Sequence, residues 1–168
     1  MNITFNEELH EYRDEKGNII PSVTQIIQGA GLVDFSRVSQ GVLDDASLRG
    51  TVVHKITELY DHSELEETTV DPQLVGFLVA YKKFLADYKV KGFIAIESIV
   101  FHDGFRYAGT LDRVVELEDG RKMLLDIKTG EESPAHDLQV AAYLNARPDA
   151  AEIDQVGTLY LHADGTYK

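Results

Sequence analysis

Residues 107–130, "YAGTLDRVVELEDGRKMLLDIKTG", constrain the fold more than any other stretch of the chain. Two runs with alternating apolar residues flank Glu118, Asp119 and Gly120. That pattern predicts an antiparallel hairpin with a three-residue loop and Gly120 in the left-handed position. Counting back from Leu117 opposite Arg121 sets Asp112 opposite Asp126. The two-residue period of a strand then puts Asp112, Val114, Leu124, Asp126 and Lys128 on one face. Leu111, Val115, Leu117, Met123, Leu125 and Ile127 are expected on the other, the core face. Facing carboxylates repel and weaken a strand pair. A divalent cation between them removes that cost, because hard cations such as magnesium take carboxylate, water and phosphate oxygens together. Lys128, one pleat beyond Asp126, would bring a positive charge beside such an ion. A lone D-x-K reads as a solvated Asp–Lys pair; the facing Asp112 and the apolar neighbours point to a site.

The remaining elements fall around this hairpin. "ITFNEELHEYRDEKGNII" predicts two short strands joined by the turn "DEKGN". "PSVTQIIQGAG" predicts a short helix capped by Ser22, and residues 34–45 a polar loop with a helical turn. "DDASLRGTVVHKITELYDH" carries Leu48, Val52, Val53, Ile56, Leu59 and Tyr60 in one helical stripe. The next helix is expected to start with Asp71 as cap and Pro72 at its first position. "FIAIESIVF" alternates as a strand, "SPAHDLQVAAYLNARP" reads as a helix, and "DQVGTLYLHADGTYK" as a last strand. The fold class is therefore α/β, a mixed sheet flanked by helices, organised as one domain over residues 1–168.

Composition narrows the chemistry. The chain has 168 residues, 43% hydrophobic and 27% charged, an ordinary globular balance. Without cysteine it has no disulfide, thiolate zinc site or iron–sulfur cluster, and an intracellular setting fits. No signal-peptide pattern opens the sequence and no apolar run is long enough for a membrane span, so no membrane partner is expected. A net charge of −13 argues against a protein that coats nucleic acid, while leaving room for a local basic track.

Four motifs stand in order: "RGTVVH" with Gly50 and His54, "GTLD" with Gly109 and Asp112, "DIKT" from Asp126 to Thr129, and "QVAAY" from Gln139 to Tyr143. Together they resemble the PD-(D/E)xK nuclease superfamily, and within it the RecB-like exonuclease branch. The opening "HEYRDEKGNIIPSVTQII" is similar to the start of its phage-encoded members. The resemblance runs from about residue 5 to the end. It departs from the relatives that carry a four-cysteine cluster. It implies a restriction-endonuclease-like core and a metal-dependent DNA exonuclease using Mg2+ or Mn2+. It further implies DNA as substrate, a phage recombination protein as partner and a cytoplasmic location, that of the host cell if phage-encoded. On these residues it implies that His54, Asp112, Asp126 and the Ile127 carbonyl hold the metal. Lys128 would orient the attacking water, and Glu58 would assist through a water or a second ion. Gln139 and Tyr143 would position Lys128 or the substrate strand.

His54 and Glu58 share a helix face, as do Gln139 and Tyr143. Pattern alone reads both pairs as polar helix surface; the resemblance makes them lining of a cleft. Arg49, Arg106, Arg113 and Thr129 are candidate phosphate contacts, Lys82, Lys83, Lys89 and Lys91 a weaker basic track. Glu97 reads as a supporting or outward residue of its strand. An endonuclease on the same fold is one alternative, and a non-catalytic DNA-binding recombination accessory is the other. Asp112, Asp126 and Lys128 all being present weighs against the second.

Overall fold

A computed structural model describes residues 2–6, 9–32 and 39–168. The predicted loop residues 34–38 lie outside the described residues. The N-terminal stretch forms a three-stranded antiparallel sheet: β1 (Thr4–Asn6), β2 (Glu11–Arg13) and β3 (Ile19–Ile20). The sequence predicted two strands here, since a two-residue strand leaves almost no alternation to read. Asp14 closes the turn between β2 and β3, accepting from the backbone N–H groups of Lys16 and Asn18. It also pairs with Arg106 at 3.1 Å, which pins this small sheet to the main body.

The helices follow their caps. Ser22 and Gln25 form a reciprocal capping box at the start of α1 (Val23–Gly29). The next helix, α2 (Gln40–Asp61), takes in residues 40–45 of the predicted loop. Helix α3 (Val75–Asp87) begins later than predicted, because Asp71 accepts from the Gln73 N–H and shapes a turn before it. Ser133 caps α4 (Pro134–Asn145), with the proline at the first position.

The main sheet has the order β4-β5-β6-β7, from β4 (Val90–His102), β5 (Tyr107–Leu117), β6 (Lys122–Lys128) and β7 (Gln155–Tyr160). The first three strands are antiparallel; β7 returns through α4 to run parallel to β6. The predicted hairpin register holds: Glu116 pairs with Lys122 and Arg113 with Leu125. Gly120 sits at φ 86° in the loop. Both faces of the sheet are covered, however, so there is no single core face. Val115, Leu117, Met123, Leu125 and Ile127 pack with Val53, Phe77, Tyr81 and Phe84 of α2 and α3. Val114 and Leu124 pack with Val23, Val140 and Tyr143 of α1 and α4, and Leu111 joins them instead of its predicted neighbours. Alternation fails at Leu111 because the β5–β6 ladder ends at Arg113, and the Asp112 side chain accepts the Ile127 N–H beyond it. This mixed α/β arrangement is compatible with a restriction-endonuclease-like core. Among the described residues, no helix is long and apolar enough to cross a membrane.

Candidate metal centre

Three strands bring three carboxylates into one row. Ile96 pairs with Arg113 and Ser98 with Leu111, so Glu97 of β4 falls opposite Asp112 of β5. Continuing the hairpin register by one step puts Asp112 opposite Asp126 of β6. From above, α2 lowers His54 onto the row. Its Nδ1 lies 3.6 Å from Asp112 Oδ1 and 3.7 Å from Glu97 Oε1. Its Nε2 lies 2.9 Å from the Ile127 carbonyl. A carbonyl only accepts, so Nε2 is the donor, and in the neutral ring Nδ1 offers its lone pair toward the two carboxylates. Backbone acceptors orient metal-bound histidines in this way. His54, Glu97 and Asp112 can together hold a metal ion.

The charges in this group oppose burial. Burial pushes the Asp112 carboxyl up to about 6; His54 and Lys128 counter that, while Asp126 adds to it. For His54, burial works against the charged ring, but Asp112 and Glu97 outweigh it and raise the pKa. Burial also works against Lys128, and the Asp126 and Asp112 carboxylates more than offset it, so its ammonium stays protonated. Lys128 Nζ stands 2.6 Å from Asp126 Oδ2. Even so, neither oxygen of Asp126 accepts a well-aligned hydrogen bond among the described residues, although the residue is only 1% exposed. Buried carboxylates are ordinarily hydrogen-bonded or bound to a cation. The side chains of His54, Glu97 and Lys128 keep 23–28% of their surface exposed, which leaves the group open to solvent.

Glu97 is the residue that sequence reasoning undervalued. Its backbone sits at φ 44°, a left-handed conformation inside a strand. For a glutamate that costs on the order of 1–3 kcal/mol, the kind of strain found at functional sites. Burial raises the Glu97 carboxyl, yet His54 and Arg113 prevail and hold it below its ordinary range.

Glu58 does not join the group. On α2, Thr57 and Asp61 turn inward on one side of His54; Glu58 lies on the other and pairs with Lys55 at 2.9 Å. Correspondingly, Leu48 and Val52 of the predicted apolar stripe are exposed, and the buried face runs through Val53, Ile56 and Thr57. Arg113, predicted to meet phosphate, is completely buried. It precedes Val115 and Leu117 in alternation, and that inward position was the signal available for it. Ile127, expected to offer its carbonyl as a direct ligand, presents it to His54.

Gln139 and Tyr143 act as one unit, the amide donating to the phenol oxygen at 2.7 Å. Burial, with Asp126 nearby, raises the Tyr143 pKa. A side chain at Gly109 would meet the Tyr143 ring at 2.4 Å, so the glycine of "GTLD" and the tyrosine of "QVAAY" are two halves of one contact. Where α2 passes the end of β6, a Cβ on Gly50 would stand 3.8 Å from Thr129 Oγ1. Next to it, Arg49 Nε is buried with no hydrogen-bond partner among the described residues. Lys82 and Lys91 are paired with Glu67 and Glu116, and Arg106 with Asp14. Tyr107 is a core residue whose hydroxyl donates to the Ala142 carbonyl.

Compared with known proteins, the chain matches no model of a protein family and no curated protein sequence.

Proposed function

We propose that this chain is a metal-dependent DNA nuclease of the PD-(D/E)xK type, acting as an exonuclease with Mg2+ or Mn2+. The observation that carries the reading is Asp126: a buried carboxylate whose Oδ2 is paired with Lys128 and whose Oδ1 has no partner among the described residues, in one row with Asp112 and Glu97. That donor set, carboxylate oxygens and one imidazole, suits a hard or borderline divalent cation. His54, Glu97, Asp112 and Asp126 would hold it. When bound, the cation supplies charge for the phosphate oxygens and lowers the pKa of a water.

The chain's own groups divide the remaining work. Lys128 stays protonated, has no lone pair to take a proton, and therefore acts as a donor to the water or to the phosphate oxygens as negative charge develops. His54 is oriented by the Ile127 carbonyl. Arg49 and Thr129, where α2 meets the end of β6, would hold a neighbouring phosphate. Gln139 and Tyr143 support the floor beneath Asp126. Hydrolysis adds water to phosphorus and breaks the bond to the leaving ester oxygen, which departs with a proton. The overall charge of −13 would restrict DNA contact to the immediate surroundings of the cation site.

Digestion of end-labelled linear DNA, single- and double-stranded, with magnesium or manganese tests the proposal, with a covalently closed circle as control. Shortened linear DNA, an intact circle and silence in chelator are expected. A cut circle would make the protein an endonuclease, and binding without any cleavage would make it an accessory protein.

A further inference from the structure

Arg113 was expected at the substrate and is instead the most enclosed cation among the described residues, fully withdrawn from water. Its partners define what it does. Nη1 donates to Glu97 Oε1 at 2.7 Å and to the Asp112 carbonyl at 2.7 Å. Nη2 donates to Thr57 Oγ1 at 3.1 Å, and that hydroxyl donates in turn to the His54 carbonyl at 2.9 Å. Nε donates to Asp61 Oδ2, while the Tyr81 hydroxyl donates to Asp61 from α3. One guanidinium thus reaches all three members of the cation-binding group: Glu97 by side chain, Asp112 by backbone, and His54 through Thr57. The oxygen it grips on Glu97 is the one that faces His54 Nδ1. Glu97 needs such a grip, because its left-handed backbone would relax if nothing held the side chain inward.

We propose that Arg113 is the positioning residue of the cation site, holding Glu97, Asp112 and His54 in mutual reach from a charge-balanced anchor on Asp61. The inference rests on reading His54, Glu97 and Asp112 as a cation site. A planar fork with five donors can serve four acceptors at once, and a lysine cannot. Asp61 and Tyr81 serve the site by keeping this fork fixed, although they are on its far side from the ligands.

The test is calorimetric titration of the full chain with Mn2+ alone, arranged as a double-mutant cycle. The variants are Glu97→Gln, the pair Arg113→Met with Asp61→Leu, and all three changes together. Removing both charges of the anchor leaves neither buried alone, so the pair is built to fold. Glu97→Gln and the pair are each expected to weaken Mn2+ binding about tenfold or more. The triple variant is expected to bind no more weakly than the pair, since a released Glu97 no longer contributes. Arg113→Lys, which retains the charge, is expected to show the same weakening and the same loss of dependence on Glu97, and it decides the matter if the pair does not melt cooperatively. Independent, additive losses, or parent-like binding by the Arg113 variants, overturn the proposal. Absence of Mn2+ binding to the parent overturns the cation site itself, a different and recognisable failure.

Discussion

Asp61 and Asp126 are both withdrawn from water, and the fold treats them in opposite ways. Asp61 receives the Arg113 guanidinium and the Tyr81 hydroxyl, so each of its oxygens has a donor. Asp126 stands beside Lys128 and Asp112 with both oxygens lacking a well-aligned donor. The first region is finished without a ligand and the second is not. A buried ion pair with a donor on each carboxylate oxygen belongs to the architecture; a buried carboxylate with an oxygen that no donor reaches needs something from outside.

Breaking the finished region has the largest effect on folding. Asp61→Ala leaves the Arg113 charge buried without its main partner and should cost about 3–5 kcal/mol in denaturant melts. Manganese should recover little of it, because the damage lies behind the ligands. On the unfinished side, Lys128→Ala should slow cleavage by about 10²- to 10³-fold, an effect near 3–4 kcal/mol on the barrier. It should leave Mn2+ affinity near that of the parent, since the lysine donates to the reacting groups and does not ligate the ion. Loss of binding together with rate would reassign it.

A smaller effect follows from the carboxyl of Asp112. Its folded pKa of about 6 lies above the ordinary 3.8, so the folded state holds its proton more tightly and ionisation opposes folding. In chelator, stability should therefore fall as pH rises from about 4 through about 6, by on the order of 3 kcal/mol. The raised His54 acts in the same direction: its charged form contributes below its unfolded pKa, and that contribution is lost as pH climbs through the folded one. Thermal melts of the parent and Asp112→Asn in chelator isolate this slope, which should flatten in the variant. The smallest change expected is Glu58→Ala. Its ion pair with Lys55 is at the surface, so stability and Mn2+ affinity should move by less than about 0.5 kcal/mol.

The unfinished region was the more legible in sequence. A loop with glycine in the right place sets the register, and the register sets Asp112 against Asp126; the pattern needs only local geometry. His54 was reached through the resemblance, since its place on α2 looks like polar surface until β6 is packed beneath it. The finished region was nearly invisible. Arg113 occupies an inward slot in the alternation of β5, yet an arginine in a strand ordinarily reads as solvent-facing. Its partners come from α2 and β4, elements far apart in the chain. Glu97 enters through a left-handed backbone that no alternation pattern encodes. The predicted stripe on α2 failed at Leu48 and Val52 for a related reason: periodicity shows where apolar residues lie, and which turns are covered depends on the packing partners.

On the proposed reading, Asp126 is buried in order to hold a cation. Thermal melts of the parent and Asp126→Asn, each in chelator and in excess Mn2+, test it most directly. In chelator, the variant should melt near the parent, because relief of the repulsion with Asp112 and of carboxylate burial is offset by loss of the ion pair with Lys128. Manganese should raise the parent's midpoint, as any ligand of the folded state does, and leave the variant's nearly unchanged. A parent midpoint indifferent to manganese, or a variant that gains as much from the ion as the parent does, would contradict the account.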